Sequence, residues 1–175
     1  MSTDRLAKHP GRPWDTKLGI DPPPHIITHY QANTTVDLTD LLLAHFATMR
    51  DVVSDAVTTH LHTSPGVVIE GSALWPGMDV TPALPVFSRW LVVDDDHLWR
   101  RMQTQSHYSQ QPRRIQALIE AFHDRSISYQ QRLVHELHTC GLEHSGVHLS
   151  GIETTEQIAD RLSAELTQAY CGAGA

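Results

Sequence analysis

The sequence predicts an α/β fold, a parallel sheet with helices on its faces. Three observations carry that expectation. Short apolar runs at Val67–Ile69, Ser88–Val93 and Gly146–Ser150 read as strands, the first two as covered on both faces. Longer segments between them repeat apolar residues every three to five positions, the period of a helix with one buried face. Strands spaced by helices indicate βαβ units, which place strands in parallel.

The elements follow in order. Five of the ten prolines, Pro10, Pro13, Pro22, Pro23 and Pro24, precede Ile26. Proline fixes φ and pushes its predecessor out of the helical region, so residues 1–35 read as mostly extended loop. From Val36 to about Thr63 a helix is expected, with Leu38, Leu42, Phe46, Met49, Val53, Ala56 and Leu61 on its face. "TSPG" stops it. Asp94-Asp95-Asp96 follow the second strand and can cap a helix running through Leu98 and Met102. "SHYSQQP" interrupts, and a long helix then runs to about His138. Its face is Ile115, Leu118, Ile119, Phe122, Tyr129, Leu133 and Leu137, and Cys140-Gly141 closes it. Thr154 to Gln157 form a capping box for a last helix through Ile158, Leu162 and Leu166. Residues 171–175, "CGAGA", read as a fraying tail. There is no internal repeat.

At 175 residues the chain suits one domain, taken as residues 1–170. Its formal net charge of −7 supplies no global basic field for a nucleic acid polymer or an anionic membrane. Basic residues are bunched at Arg100-Arg101 and Arg113-Arg114, an arrangement that serves a small anionic ligand. The two cysteines form no C-x-x-C, which favours a reducing interior. No apolar run approaches the ~20 residues of a membrane span. The first residues have no signal-peptide apolar region, so a cytoplasmic protein is the default expectation.

Candidate chemistry centres on "GVVIEGSALWPG", Gly66 to Gly77. Ligands of open α/β sheets bind beyond the carboxyl ends of strands, and Glu70 is expected at such an end. A carboxylate there could hold Mg²⁺ through water or orient a hydroxyl, with Gly71 and Ser72 admitting a phosphate. The plain alternative is a surface glutamate at a corner. The four arginines flank residues 100–115, a polar segment that reads as a phosphate lid, or else they decorate solvated helix faces. The thirteen histidines raise a metal-binding alternative through His25 with His29, and through His135, His138, Cys140 and His144. No ligand spacing there matches a familiar site. The chain has no G-x-S-x-G, G-x-G-x-x-G or G-x-x-x-x-G-K-[ST].

Three stretches taken together resemble the P-loop small-molecule kinases of the AAA-family ATPase and 2-phosphoglycerate-kinase-like kind found in bacteria. They are "STDRLAKHPGRPW", "GVVIEGSALWPG" and "RWLVVDDDHLWRRM…SHYSQQPRR". The resemblance runs from about Ser2 to Leu166 and implies a P-loop three-layer architecture, truncated at the N-terminus. It implies ATP and Mg²⁺ as cofactors and a small hydroxylated metabolite as the substrate. By the same resemblance Asp4, Glu70, Arg101 and Arg113 are catalytic, and Arg100, Arg114, Ser150 and Gly151 bind the nucleotide. His9, Arg12 and Ser72 contact the substrate, His9 and Arg12 within an acceptor-side loop region of residues 1–35. The chain departs from the family by starting where the phosphate loop should already have passed. The lost Lys and Ser/Thr predict impaired phosphoryl transfer. The lost central strand predicts a gap, direct pairing of the remaining strands, or a homo-oligomer that completes the sheet. Two other readings stay open, a non-catalytic ligand-binding or regulatory protein and a His-rich metal-binding protein.

Overall fold

In a computed structural model of the chain, residues 22–61, 68–78 and 86–171 are described. Their elements are helices α1 (Pro24–Ala32), α2 (Thr35–Thr48) and α3 (Arg50–Leu61), then strand β1 (Trp90–Val93). Helices α4 (Asp95–Ser106) and α5 (Arg113–Thr139), strand β2 (Gly146–Leu149) and helix α6 (Thr155–Cys171) follow. Short 3₁₀ turns at Tyr108–Gln110 and Glu143–Ser145 flank α5.

Helix α5 is the spine. It has 27 residues and is about 40 Å long. Its apolar stripe is long enough to serve two separate cores. The N-terminal half buries Ile115, Leu118 and Ile119 against Ile26 and Tyr30 of α1 and Leu38 of α2. The C-terminal half buries Leu133 and Leu137 against Val92 of β1, with Trp75, Trp90 and Tyr129 around them. Between the halves, Arg125 lays its guanidinium over the Phe122 ring at 4.5 Å from the centroid and donates to the Tyr30 hydroxyl at 2.8 Å. Burial lowers the Arg125 pKa from its ordinary value, yet stacking and the phenol hold the cation with no carboxylate partner among the described residues.

The expected three-layer α/β sheet is not what forms. The described residues are mostly helical, and their only multi-residue ladder is a two-stranded parallel sheet of β1 and β2. The register pairs Trp90 with Gly146 and Val93 with Leu149. Asp94 N–H donates to the Leu149 carbonyl at 3.0 Å, which extends the ladder by one bond. Successive strand amides point to opposite edges, so Val93 N–H faces away from β2. There it donates to Oε1 of Gln130 on α5, at 2.7 Å. A helix side chain thus takes the bond a third strand would have made at Val93, and that amide is satisfied within the chain.

The expected strand at Val67–Ile69 has no such place. Val67 lies outside the described residues, and Val68 is 78% exposed. An apolar run covered on both faces is excluded by that exposure. Segment 68–78 instead forms a turn-rich patch beside α5. Its Leu74 carbonyl accepts from the Trp90 indole at 3.0 Å, and its Ser72 carbonyl accepts from the Tyr129 hydroxyl at 3.0 Å.

Two helical expectations also change. Pro24–Ala32 is helix α1, not loop, because prolines at a helix start cost nothing where the N–H has no partner. Ile26 and Tyr30, four residues apart, then share its buried face. The single helix expected over Val36–Thr63 is two, joined at Met49, whose buried side chain continues the apolar stripe. Thr34 starts α2 with a reciprocal cap. Its hydroxyl accepts from Asp37 N–H at 3.2 Å, and the Asp37 carboxylate accepts from Thr34 N–H at 3.0 Å. Those hydrogen bonds from Thr34 hold the Asp37 carboxyl below its usual pKa.

Candidate functional site

The carboxyl ends of β1 and β2 open into a cleft of about 340 Å³. Val93 and Leu149 form its floor, His97 and Arg101 come from α4, and Ser150, Gly151 and Glu153 from the loop after β2. Thr155 and Ile158 of α6 close the far side. Two parallel strands with a helix leaving each end splay those helices apart, which leaves space at the strand ends.

Local chemistry explains each wall. Asp94, Asp95 and Asp96 open α4, and the two acids in its first turn complement its dipole. His97 and Arg101 are four residues apart on that helix and therefore share the face turned to the cleft. Gly151 has φ of +79°, a left-handed conformation natural to glycine, and a Cβ there would overlap the His97 ring. The imidazole thus lies flush against the backbone of the β2–α6 loop. Thr154 caps α6 as the sequence predicts. Its N–H donates to Gln157 Oε1 at 2.7 Å, and its hydroxyl accepts from Gln157 N–H at 3.3 Å. Glu153 is neutralised by Arg161 at 2.9 Å.

Apart from Glu153, the polar side chains lining the cleft are unengaged among the described residues. Among the described residues, the side chains of His97, Arg101, Ser150 and Thr155 have no hydrogen-bond or ion-pair partner. Most arginines elsewhere do: Arg89 meets Glu165 at 2.7 Å, and Arg132 meets Asp40. A guanidinium, an imidazole and two hydroxyls around one space offer donors to an anionic or carbonyl group. The acidic first turn offsets the dipole of α4, so Arg101 supplies the positive charge here.

The sequence-predicted site residues separate into three groups. Arg101, Ser150 and Gly151 are brought together in the cleft. Arg100, Arg113, Arg114, Glu70 and Ser72 do not line it. Arg100 donates to its own helix at the Asp96 carbonyl, 3.1 Å away, and Arg113 turns towards Glu120 at 3.6 Å. Arg114, Glu70 and Ser72 are exposed. Asp4, His9 and Arg12 lie outside the described residues. The segment expected as a lid, 100–115, is a hydrogen-bonded corner. Gln111 donates to the Ser106 carbonyl at 2.7 Å, Gln116 to the Tyr108 carbonyl at 3.1 Å, and the Tyr108 ring packs on Trp99.

His97 is the residue that sequence reasoning missed. The signal was its position one turn before Arg101, which places the two on one helical face. No group of three or more His, Cys, Asp or Glu side chains that could hold a metal ion occurs among the described residues. No helix there is long and apolar enough to cross a membrane. Compared with protein-family models, curated proteins and solved structures, the chain matches none of them.

Proposed function

We propose that this chain binds a small molecule through an anionic group, held in the cleft at the carboxyl ends of β1 and β2. One observation carries the reading: Arg101, His97, Ser150 and Thr155 converge on that cleft with no partner among the described residues. Phosphate esters and carboxylates fit that donor set, because both accept charge-assisted bonds from a guanidinium. Phosphoryl transfer from Mg²⁺-ATP to a metabolite draws less support from this geometry. It required a three-layer sheet and Glu70 at a strand end facing the arginines, and Glu70 stands apart from Arg101. A ligand-binding or regulatory role is the reading this donor set supports.

The test is titration of the ¹⁵N-labelled chain with inorganic phosphate, AMP, Mg²⁺-ATP and acetate, following amide shifts. At least one of these should move the amides of Ser150, Gly151 and Thr155. Arg101→Ala should then weaken that ligand about 10- to 100-fold, the worth of one charge-assisted hydrogen bond. Unmoved amides at millimolar ligand, or affinity unchanged in Arg101→Ala, would refute the reading.

A further inference from the structure

Arg101 lines a second cavity as well. This groove, about 240 Å³, runs between α4 and α5 and is walled by Leu98, Met102, Ile119 and Phe122, with Gln105 and Ser106 at its polar side. It continues along the α4 face that carries His97 and Arg101, and its inner wall reaches the helical core through Ile119. The two cavities differ in character. The first presents unengaged donors, whereas the second presents mainly aliphatic and aromatic carbon.

We infer that the ligand is amphipathic, with its anionic group in the cleft at the strand ends and an apolar ring in the α4–α5 groove, Arg101 standing at the junction. The inference rests on the anion-binding reading above and extends it to the class of ligand. Size supports it, since an apolar cavity of about 150 Å³ accepts benzene. Charge supports it too. A guanidinium with no partner among the described residues, on an aliphatic stem, can meet an anion on one side while its stem covers apolar surface on the other. Inorganic phosphate would fill only the first cavity. An aryl phosphate or aryl carboxylate would fill both.

The experiment compares phenyl phosphate with inorganic phosphate on the full chain, by calorimetry and by amide shifts. Phenyl phosphate should bind about tenfold tighter or more, the effect of burying a few apolar carbons. It alone should also shift Met102 and Gln105. Met102→Gln should reduce the phenyl-to-phosphate affinity ratio about threefold, with circular dichroism confirming that the variant is folded. If Met102→Gln does not fold, Gln105→Trp, which fills the groove from its rim, should reduce the same ratio. Equal affinity for the two probes overturns the inference and leaves the anion site standing. Binding of neither overturns both. A phenyl advantage that survives both groove variants places the ring elsewhere and overturns the inference.

Discussion

Two short runs in this chain look alike and fold differently. Val67–Ile69 and Trp90–Val93 are both apolar and β-branched, and each is followed by an acid. Trp90–Val93 becomes β1, with Val92 buried and one amide after another taken by β2 or by Gln130. Val68, in the other run, stands 78% exposed. The difference lies in what each run meets. The first has α5 beneath it and a parallel partner beside it, whereas Val68 in the second keeps most of its surface in solvent. An apolar run becomes a strand only when something covers its face and answers its amides.

Removing that cover should have the largest effect. Leu133→Ala takes a 3% exposed side chain from under Val92 and should cost about 2–5 kcal/mol of unfolding free energy, measured by urea melts. If the loss is under about 1 kcal/mol, well below the usual range, α5 is not what holds β1. The same substitution should loosen the cleft, because Val93 forms part of its floor.

The next effect joins the two runs through pH. Tyr129 packs between Trp75 and the strand core, and its hydroxyl donates to the Ser72 carbonyl just after Glu70. Burial pushes its pKa up to about 12. The raised value means that the fold favours the neutral phenol. Its contribution is therefore complete below the unfolded tyrosine value of about 10 and is lost as pH rises towards 12, by about 2–3 kcal/mol. Urea melts across that window should show the decline, and Tyr129→Phe should make it shallower. An unchanged slope in Tyr129→Phe would mean that another group carries the alkaline loss.

Much of this was legible in the sequence, and what was not has identifiable causes. The stripe Ile115 to Leu137, the strands expected at Ser88–Val93 and Gly146–Ser150 and found at Trp90–Val93 and Gly146–Leu149, and the Thr154 cap rest on local pattern, and local pattern sufficed. Arg101 stood out through the bunching of arginines, and Ser150 and Gly151 through the resemblance, so their meeting in one cleft comes from the fold. The triple proline misled, since Pro22–Pro24 reads as loop until Ile26 and Tyr30 find α5 to bury against. The run at 67–69 misled for the opposite reason: its pattern suits a strand covered on both faces, and Val68 lies open to solvent. Gln130 could not have been read at all. Nothing in a helical sequence says that one amide side chain will answer a strand from 37 positions earlier.

That long-range bond gives a mid-sized prediction. Gln130→Met keeps the length of the side chain and removes the acceptor, leaving Val93 N–H without its partner. The cost should be about 1–3 kcal/mol in urea melts, the usual penalty for an orphaned buried donor. Hydrogen exchange of the Val93 amide should quicken more than that of Val92, whose side of the strand faces β2. Equal quickening at both would mean that the strand opens as a unit and that Gln130 acts by packing.

The smallest effect is the sharpest test of the contrast between the two runs. If Val68 and Glu70 stand outside both the core and the cleft, Val68→Thr and Glu70→Gln should each change stability by less than about 0.5 kcal/mol, as exposed substitutions do. Val92→Thr places the same hydroxyl against Leu133 and Leu137 and should cost clearly more, because a buried hydroxyl needs a partner. Affinity for whichever anion binds near Arg101 should likewise be indifferent to Glu70→Gln. A loss of binding in Glu70→Gln would bring that carboxylate back to the ligand and erase the distinction, since the exposed segment at Glu70 would then reach the β1–β2 cleft when it is occupied.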